Sequence, residues 1–243
     1  MGRSRGERAL HAMTGFAGLR SRASPRAVGL GAVLALVTAS AALQLLVEGS
    51  NGARLVLVWL QALTLVAAVR SAGATRTGVR LASATAAATA LAALVVIVVT
   101  GEVPKAPAAV VNGLLVAVAP VVIGAGLLRR LREEQTVGVS ILAGVLAIYV
   151  LAGMCFSFMY GVIGAVDPDA LFAGQSTSTA ADQLYFSYVT LSTVGYGDFA
   201  PVGQLARALA VVEMLIGQIY LVTVVTMIVG HLGHGDRRRA ASR

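Results

Sequence analysis

Charge is what this sequence has least of. Only 12% of its 243 residues are Asp, Glu, Lys or Arg, where a soluble domain carries ~25%. With 57% hydrophobic residues and a mean hydropathy of +0.82, the chain reads as a polytopic membrane protein, not a domain built around a dry core in water. Cysteine is almost missing. Cys155 stands alone in an apolar run, which excludes a disulfide framework and a cysteine metal cluster. The three histidines, His11, His231 and His234, all lie outside the apolar runs, so an intramembrane hydrolase would lack a base for its nucleophile. Lysine occurs once, as Lys105, and so much arginine, alanine, valine and glycine hints at a GC-rich bacterial genome. No cleavable signal peptide is expected, because the first apolar run is too long and no small-residue cleavage site follows it. Gly6 stands where a myristoylation pattern needs Ser or Thr.

What remains is long apolar runs. A spanning helix needs ~20 mostly apolar residues, and six stretches qualify: 27–47, 53–69, 81–100, 106–128, 137–163 and 205–229. The second is the shortest, and Arg54 and Arg70 at its ends would snorkel to opposite interfaces. The connections are short and polar, with an Asn-Gly turn expected at Asn51-Gly52. The net charge of +8 is distributed through these connections and the tails, without the interleaved aromatics of a nucleic-acid surface. Arginines gather before the first run, after the second, after the fourth and after the sixth. With six spans all of those groups face one side, while Arg54, Lys105 and Arg207 face the other. Both termini are therefore expected in the cytoplasm. The tails read as anchors against anionic lipid headgroups, and 8–19 as either a surface helix or an unstructured stretch. The organisation expected is a basic tail (1–26), a four-helix membrane domain (27–135), a module of different character (136–232) and a second basic tail (233–243).

That third unit carries the chemistry. A polar loop over 164–179 leads into a predicted helix over 180–192, too short to span and rich in Tyr185, Phe186 and Tyr188. It is expected to enter the membrane part-way and return, a path open to irregular backbone only where protein buries it or it lines a wet cavity. Directly after it comes T-x-x-T-V-G-Y-G-D: Thr190, then Thr193, Val194, Gly195, Tyr196, Gly197 and Asp198. Gly195 and Gly197 lack a Cβ and so accept left-handed backbone angles.

This run resembles the selectivity filter of potassium channels without a substitution, and 137–231 resembles their pore module of outer helix, pore helix, filter and inner helix. The resemblance implies K⁺ bound by the carbonyls of Thr193, Val194, Gly195 and Tyr196 and by the Thr193 hydroxyl. It implies that Tyr196 packs against pore-helix aromatics and that Asp198 hydrogen-bonds one of them, Tyr185 by position. It also implies a hinge at Gly217, and a ring of four filters. One chain holds one filter, so a homotetramer is expected. The fold class is an all-α membrane protein with six transmembrane helices, a re-entrant pore helix and filter between the fifth and sixth, and a tetrameric pore.

Voltage-gated members of the family carry arginine at every third position of the fourth helix. Here 106–128 holds no basic residue, and charge inside the field is what senses voltage, at ~2.3 kcal/mol per charge per 100 mV. A conventional voltage sensor is therefore not expected. Glu213 is the acidic residue deep in a predicted span. It is read as support for the filter from behind, with a plain polar tie or a proton-sensing role as alternatives. Gln218 is a second such polar residue, and His231, His234 and Asp236 form either an exposed helix end or a sensor. A transporter should show inverted repeats, and none is visible. The function expected is passive K⁺ conduction across a bacterial plasma membrane, without enzymatic activity, cofactor, nucleic acid or identifiable soluble partner. A poorly selective cation channel or a non-conducting regulatory subunit is the alternative.

Overall fold

A computed structural model describes residues 25–46, 51–73, 76–100, 105–133, 139–167, 169, 171–174 and 177–241. Seven helices are present among them: α1 (Pro25–Leu46), α2 (Asn51–Ser71), α3 (Arg76–Thr100), α4 (Lys105–Glu133), α5 (Val139–Val166), α6 (Ala180–Leu191) and α7 (Gln204–Ala241). The fold of the described residues is all-helical apart from one isolated bridge. In a bilayer a helix is favoured for these Ala-, Val- and Leu-rich runs because it satisfies every backbone group within one segment.

Five helices, α1, α3, α4, α5 and α7, are long and apolar enough to cross a membrane; the apolar part of α2, Leu55–Ser71, is shorter. Several boundaries differ from those expected. Asn51 and Gly52 open α2 instead of forming a turn, which suits residues favoured at helix N-termini. Helix α3 begins five residues early at Arg76, so Arg76 and Arg80 lie on its first turns, where long stems can carry the charge to the interface. Pro120 lies inside α4 without ending it. Helix α7 runs 38 residues, to Ala241, or ~57 Å at 1.5 Å per residue. That exceeds the ~30 Å hydrocarbon core. The N-terminal tail through residue 24, with 8–19 and His11, lies outside the described residues, as do the side chains of His231, His234 and Asp236.

Helices α1, α2 and α3 pack in succession, α4 lies along α5, and α1 reaches both α5 and α6. One apolar cluster joins them: Val33 and Val37 of α1, Leu65 and Ala68 of α2, Ala119 and Ile123 of α4, Leu151 and Met154 of α5, and Leu184 of α6. The four-helix unit is thus continuous with the wall against which α6 rests. A second cluster, Phe156, Tyr160, Leu171, Phe172, Phe186, Ala206 and Ala210, binds α5, α6 and α7 to the loop before α6.

Candidate ion-conduction site

Local chemistry sets the start of α6. Thr179 caps it: its hydroxyl accepts from the Asp182 amide at 3.1 Å, and Asp182 Oδ2 accepts from the Thr179 amide at 2.8 Å. This reciprocal capping box satisfies two donors that the first turn leaves free. The segments on either side of α6 and the T-V-G-Y-G-D run are tied together. Phe172 and Pro201 form an antiparallel bridge, with the Ala173 amide donating to Ala200 at 2.9 Å and the Val202 amide donating to Leu171 at 3.3 Å. The chain therefore leaves this loop beside the point where it came in. At its C-terminal end α6 presents the negative pole of its dipole.

The residues after α6 fold back onto that end. The Thr193 amide donates to Thr190 at 2.9 Å, and the amides of Val194 and Gly195 both donate to Val189, at 3.0 and 3.3 Å. No peptide bond among the described residues is cis, and the N–H and C=O of a trans peptide point in opposite directions. The carbonyls of Ser192, Thr193 and Val194 are consequently aimed away from α6. Backbone handedness alternates: φ is +59° at Thr193, +59° at Gly195 and +80° at Gly197, and is not positive at Val194 or Tyr196. Glycine takes such angles without strain. Thr193 does not, and a β-branched residue held at positive φ is a true outlier of the kind that clusters at functional sites.

Side chains hold this backbone from behind. The Tyr185 hydroxyl donates to Asp198 Oδ2 at 2.8 Å, and Asp198 Oδ1 accepts from the Phe199 amide at 3.1 Å. The rings of Tyr185 and Tyr196 are stacked with centroids 6.5 Å apart. An aromatic relay continues inward from Tyr185 through Phe199, Phe172 and Phe186 to Tyr160, with centroids 4.9–5.8 Å apart and edge-to-face throughout. That geometry is the favoured one for aromatic pairs. With Tyr196, the relay takes in six of the twelve Phe and Tyr residues, so the scarce aromatics are concentrated on the candidate site. Thr190 is buried beneath.

Glu213 ends this relay. It is fully buried, with Oε2 accepting from the Tyr160 hydroxyl at 2.7 Å, while the Ser187 hydroxyl lies within hydrogen-bond reach of both Glu213 Oε1, at 2.5 Å, and the Gly153 carbonyl, at 2.7 Å. One carboxyl thus joins α7 to α5 and α6. Four residues further along α7, a Cβ on Gly217 would overlap the carbonyl of Leu191. Packing alone therefore requires a glycine at 217, whether or not the helix bends there. The Tyr220 hydroxyl donates to the Val145 carbonyl and fastens the next turn to α5. Tyr160, Ser187 and Phe172 were not singled out in the sequence. Their partners lie far along the chain or across helix faces, and only the aromatic and hydroxyl enrichment near the motif pointed toward them. Gln218 lies on the exposed side of α7. No group of His, Cys, Asp and Glu able to hold a metal occurs among the described residues.

Residues 144–232, from α5 through α7, match the family model described as ion channel. Two-pore potassium channel 4 of Arabidopsis thaliana is 38% identical over 61 residues, covering 25% of this chain and 22% of that protein. Two-pore potassium channel 1 of the same plant is 35% identical over 88 residues, 36% of this chain and 20% of that protein. Protein LctB of Geobacillus stearothermophilus is 46% identical over 54 residues, 22% of this chain and 40% of that protein. Through this segment the chain is similar to ion channels, two-pore potassium channels among them. These matches span two fifths or less of each relative's length. No solved structure matches the chain. The matched segment contains Thr193–Asp198 and every residue that braces it from α5, α6 and α7, as well as Glu213 and Gly217.

Proposed function

We propose that this channel conducts K⁺ passively and selectively through a homotetrameric pore. The carbonyls of Thr193, Val194, Gly195 and Tyr196, with the Thr193 hydroxyl, replace the water shell of the ion. The observation that carries this reading is the set of amide bonds to Val189 and Thr190. They occupy the N–H groups of residues 193–195, so that of the four carbonyls those of Thr193 and Val194, on the opposite edge of these peptides, are left to meet a cation. A ring of such carbonyls is the chemistry of a K⁺ filter. Asp198, Tyr185, Thr190 and Glu213 support it. The tied ends at Phe172 and Pro201 suit a loop that enters and leaves the membrane on one side.

A single chain cannot complete the site. Val194 and Tyr196 are 54% and 70% exposed, yet irregular backbone inside a bilayer needs protein or water around it. Four copies around an axis supply both. In this reading α2 completes a sixth crossing, the arginine-rich connections face the cytoplasm with both termini, and the membrane is a bacterial plasma membrane.

Replacing Gly195 by alanine tests the site, because a Cβ at φ +59° disfavours the required angle by ~1–2 kcal/mol. Recordings with K⁺ on one side and Na⁺ on the other should show a reversal potential near the K⁺ limit for the native chain and a shift toward zero for Gly195→Ala. An unshifted potential in a conducting variant contradicts the filter assignment. Equal permeability in the native chain would favour a poorly selective cation channel, and absence of current a regulatory subunit.

A further inference from the structure

The four-helix unit contains a polar seam that the pore does not use. Ser40 lies on α1, Gln61 and Thr64 lie on α2, and all three are buried, at 1%, 4% and 4% exposure. Thr64 donates its hydroxyl to the Leu60 carbonyl at 2.7 Å, which leaves its lone pairs open. Ser40 Oγ and Gln61 Oε1 have no hydrogen-bond partner within the chain. These three side chains line one small cavity, of about 10 Å³, together with Val37, Val116, Leu151 and Met154 from α1, α4 and α5. Buried polar atoms are rarely left unpaired, and each such atom calls for an occupant. A space of this size fits one water molecule, which typically makes about three hydrogen bonds. No charged group lines the cavity, and a hard cation would need more oxygen ligands than it offers.

We propose that this cavity is a hydration site holding one ordered water, bonded to Gln61 Oε1, Ser40 Oγ and Thr64 Oγ1. The water donates to Gln61 Oε1 and to Thr64 Oγ1 and accepts from the Ser40 hydroxyl, so each lining oxygen gains a partner. Its position links two parts of the molecule. One turn beyond Ser40, Gln44 Nε2 donates to the Ala180 carbonyl at the start of α6, at 3.2 Å. The water thus fastens to α2 the same helix that touches the pore helix.

X-ray radiolytic labelling of the full chain in lipid nanodiscs tests this, because ordered water generates hydroxyl radicals in place. Met154 lines the cavity and is 1% exposed. It should be oxidised readily under radiolysis, and several-fold more slowly in Gln61→Leu, which removes the acceptor. Ser40→Ala, a gentler change, should produce a smaller fall if the leucine variant does not assemble. A structure at water-resolving resolution should show density between Ser40 and Gln61. Equal Met154 labelling in the native chain and both variants would overturn the proposal, as would Ser40 and Gln61 bonded directly to each other.

Discussion

Glu213 and Gly217 lie four residues apart on one face of α7, opposite Ser187 and Leu191, which are four apart on α6. Residues at that spacing share a helix face. Ala206 and Ala210 continue the buried stripe toward the start of α7. The large carboxyl reaches its partners where a hydroxyl and a phenol meet it, and the missing side chain falls where a carbonyl comes closest. Gly217→Ala should therefore push α6 away from α7 at the base of the T-V-G-Y-G-D run. Overpacking of this kind costs ~1–3 kcal/mol, so the assembly should melt lower and conduct less, as thermal unfolding and single-channel recording would show. If a hinge alone explained the glycine, alanine would change opening while leaving the melting temperature intact. Glu213→Leu leaves the Tyr160 hydroxyl buried without its acceptor, a loss of ~1–3 kcal/mol. Glu213→Gln keeps an acceptor oxygen and should lose much less. Equal melting temperatures for the two variants would contradict the bracing role. Tyr185→Phe removes only the 2.8 Å bond to Asp198, so its expected effect is local: current that decays faster during sustained conduction, in an assembly of near-native stability (net ~1 kcal/mol).

At the scale of elements, apolar run length exposed most of the architecture. The six apolar runs all appear as helices, five of them long and apolar enough to cross a membrane, and the short aromatic segment before the T-V-G-Y-G-D run appears as α6, because length and composition decide such cases in a bilayer. Ends were less legible. Helix α7 continues to Ala241 through Arg237, Arg238 and Arg239, since arginine is a good helix former and limits a span without ending a helix. The bond between Tyr185 and Asp198 joins residues 13 apart and is expected from the resemblance to potassium channels. The contacts of Glu213 with Tyr160 and Ser187 join residues 53 and 26 apart, and depend on helix phases and packing that no local pattern contains. The same limit hid the Phe172 bridge and the contact of α1 with α6. Helix α4 yields its own prediction. It carries no basic residue between Ala106 and Leu128, so tail currents after voltage steps should show little gating charge from this helix. A steep conductance–voltage curve abolished by neutralising Arg129, Arg130 and Arg132 would contradict this.

At the scale of the molecule, one chain leaves its site open. Leu215 and Ile219 of α7, 58% and 66% exposed, offer an apolar surface on which the copies of the proposed tetramer would pack. Purified channel in mild detergent should therefore have the mass of four 24.8 kDa chains; a stable monomer that conducts would refute the assembly. The four-helix unit packs against α5 and touches α6 through Gln44, so it contacts the segment proposed to form the pore. The central claim is selective passage of K⁺. Flux into sealed liposomes containing the purified full chain tests it most directly, with K⁺ or Na⁺ gradients imposed in parallel. The account predicts rapid flux down the K⁺ gradient and little down an equal Na⁺ gradient. Equal flux of both ions would contradict it, as would no K⁺ flux from assembled tetramers.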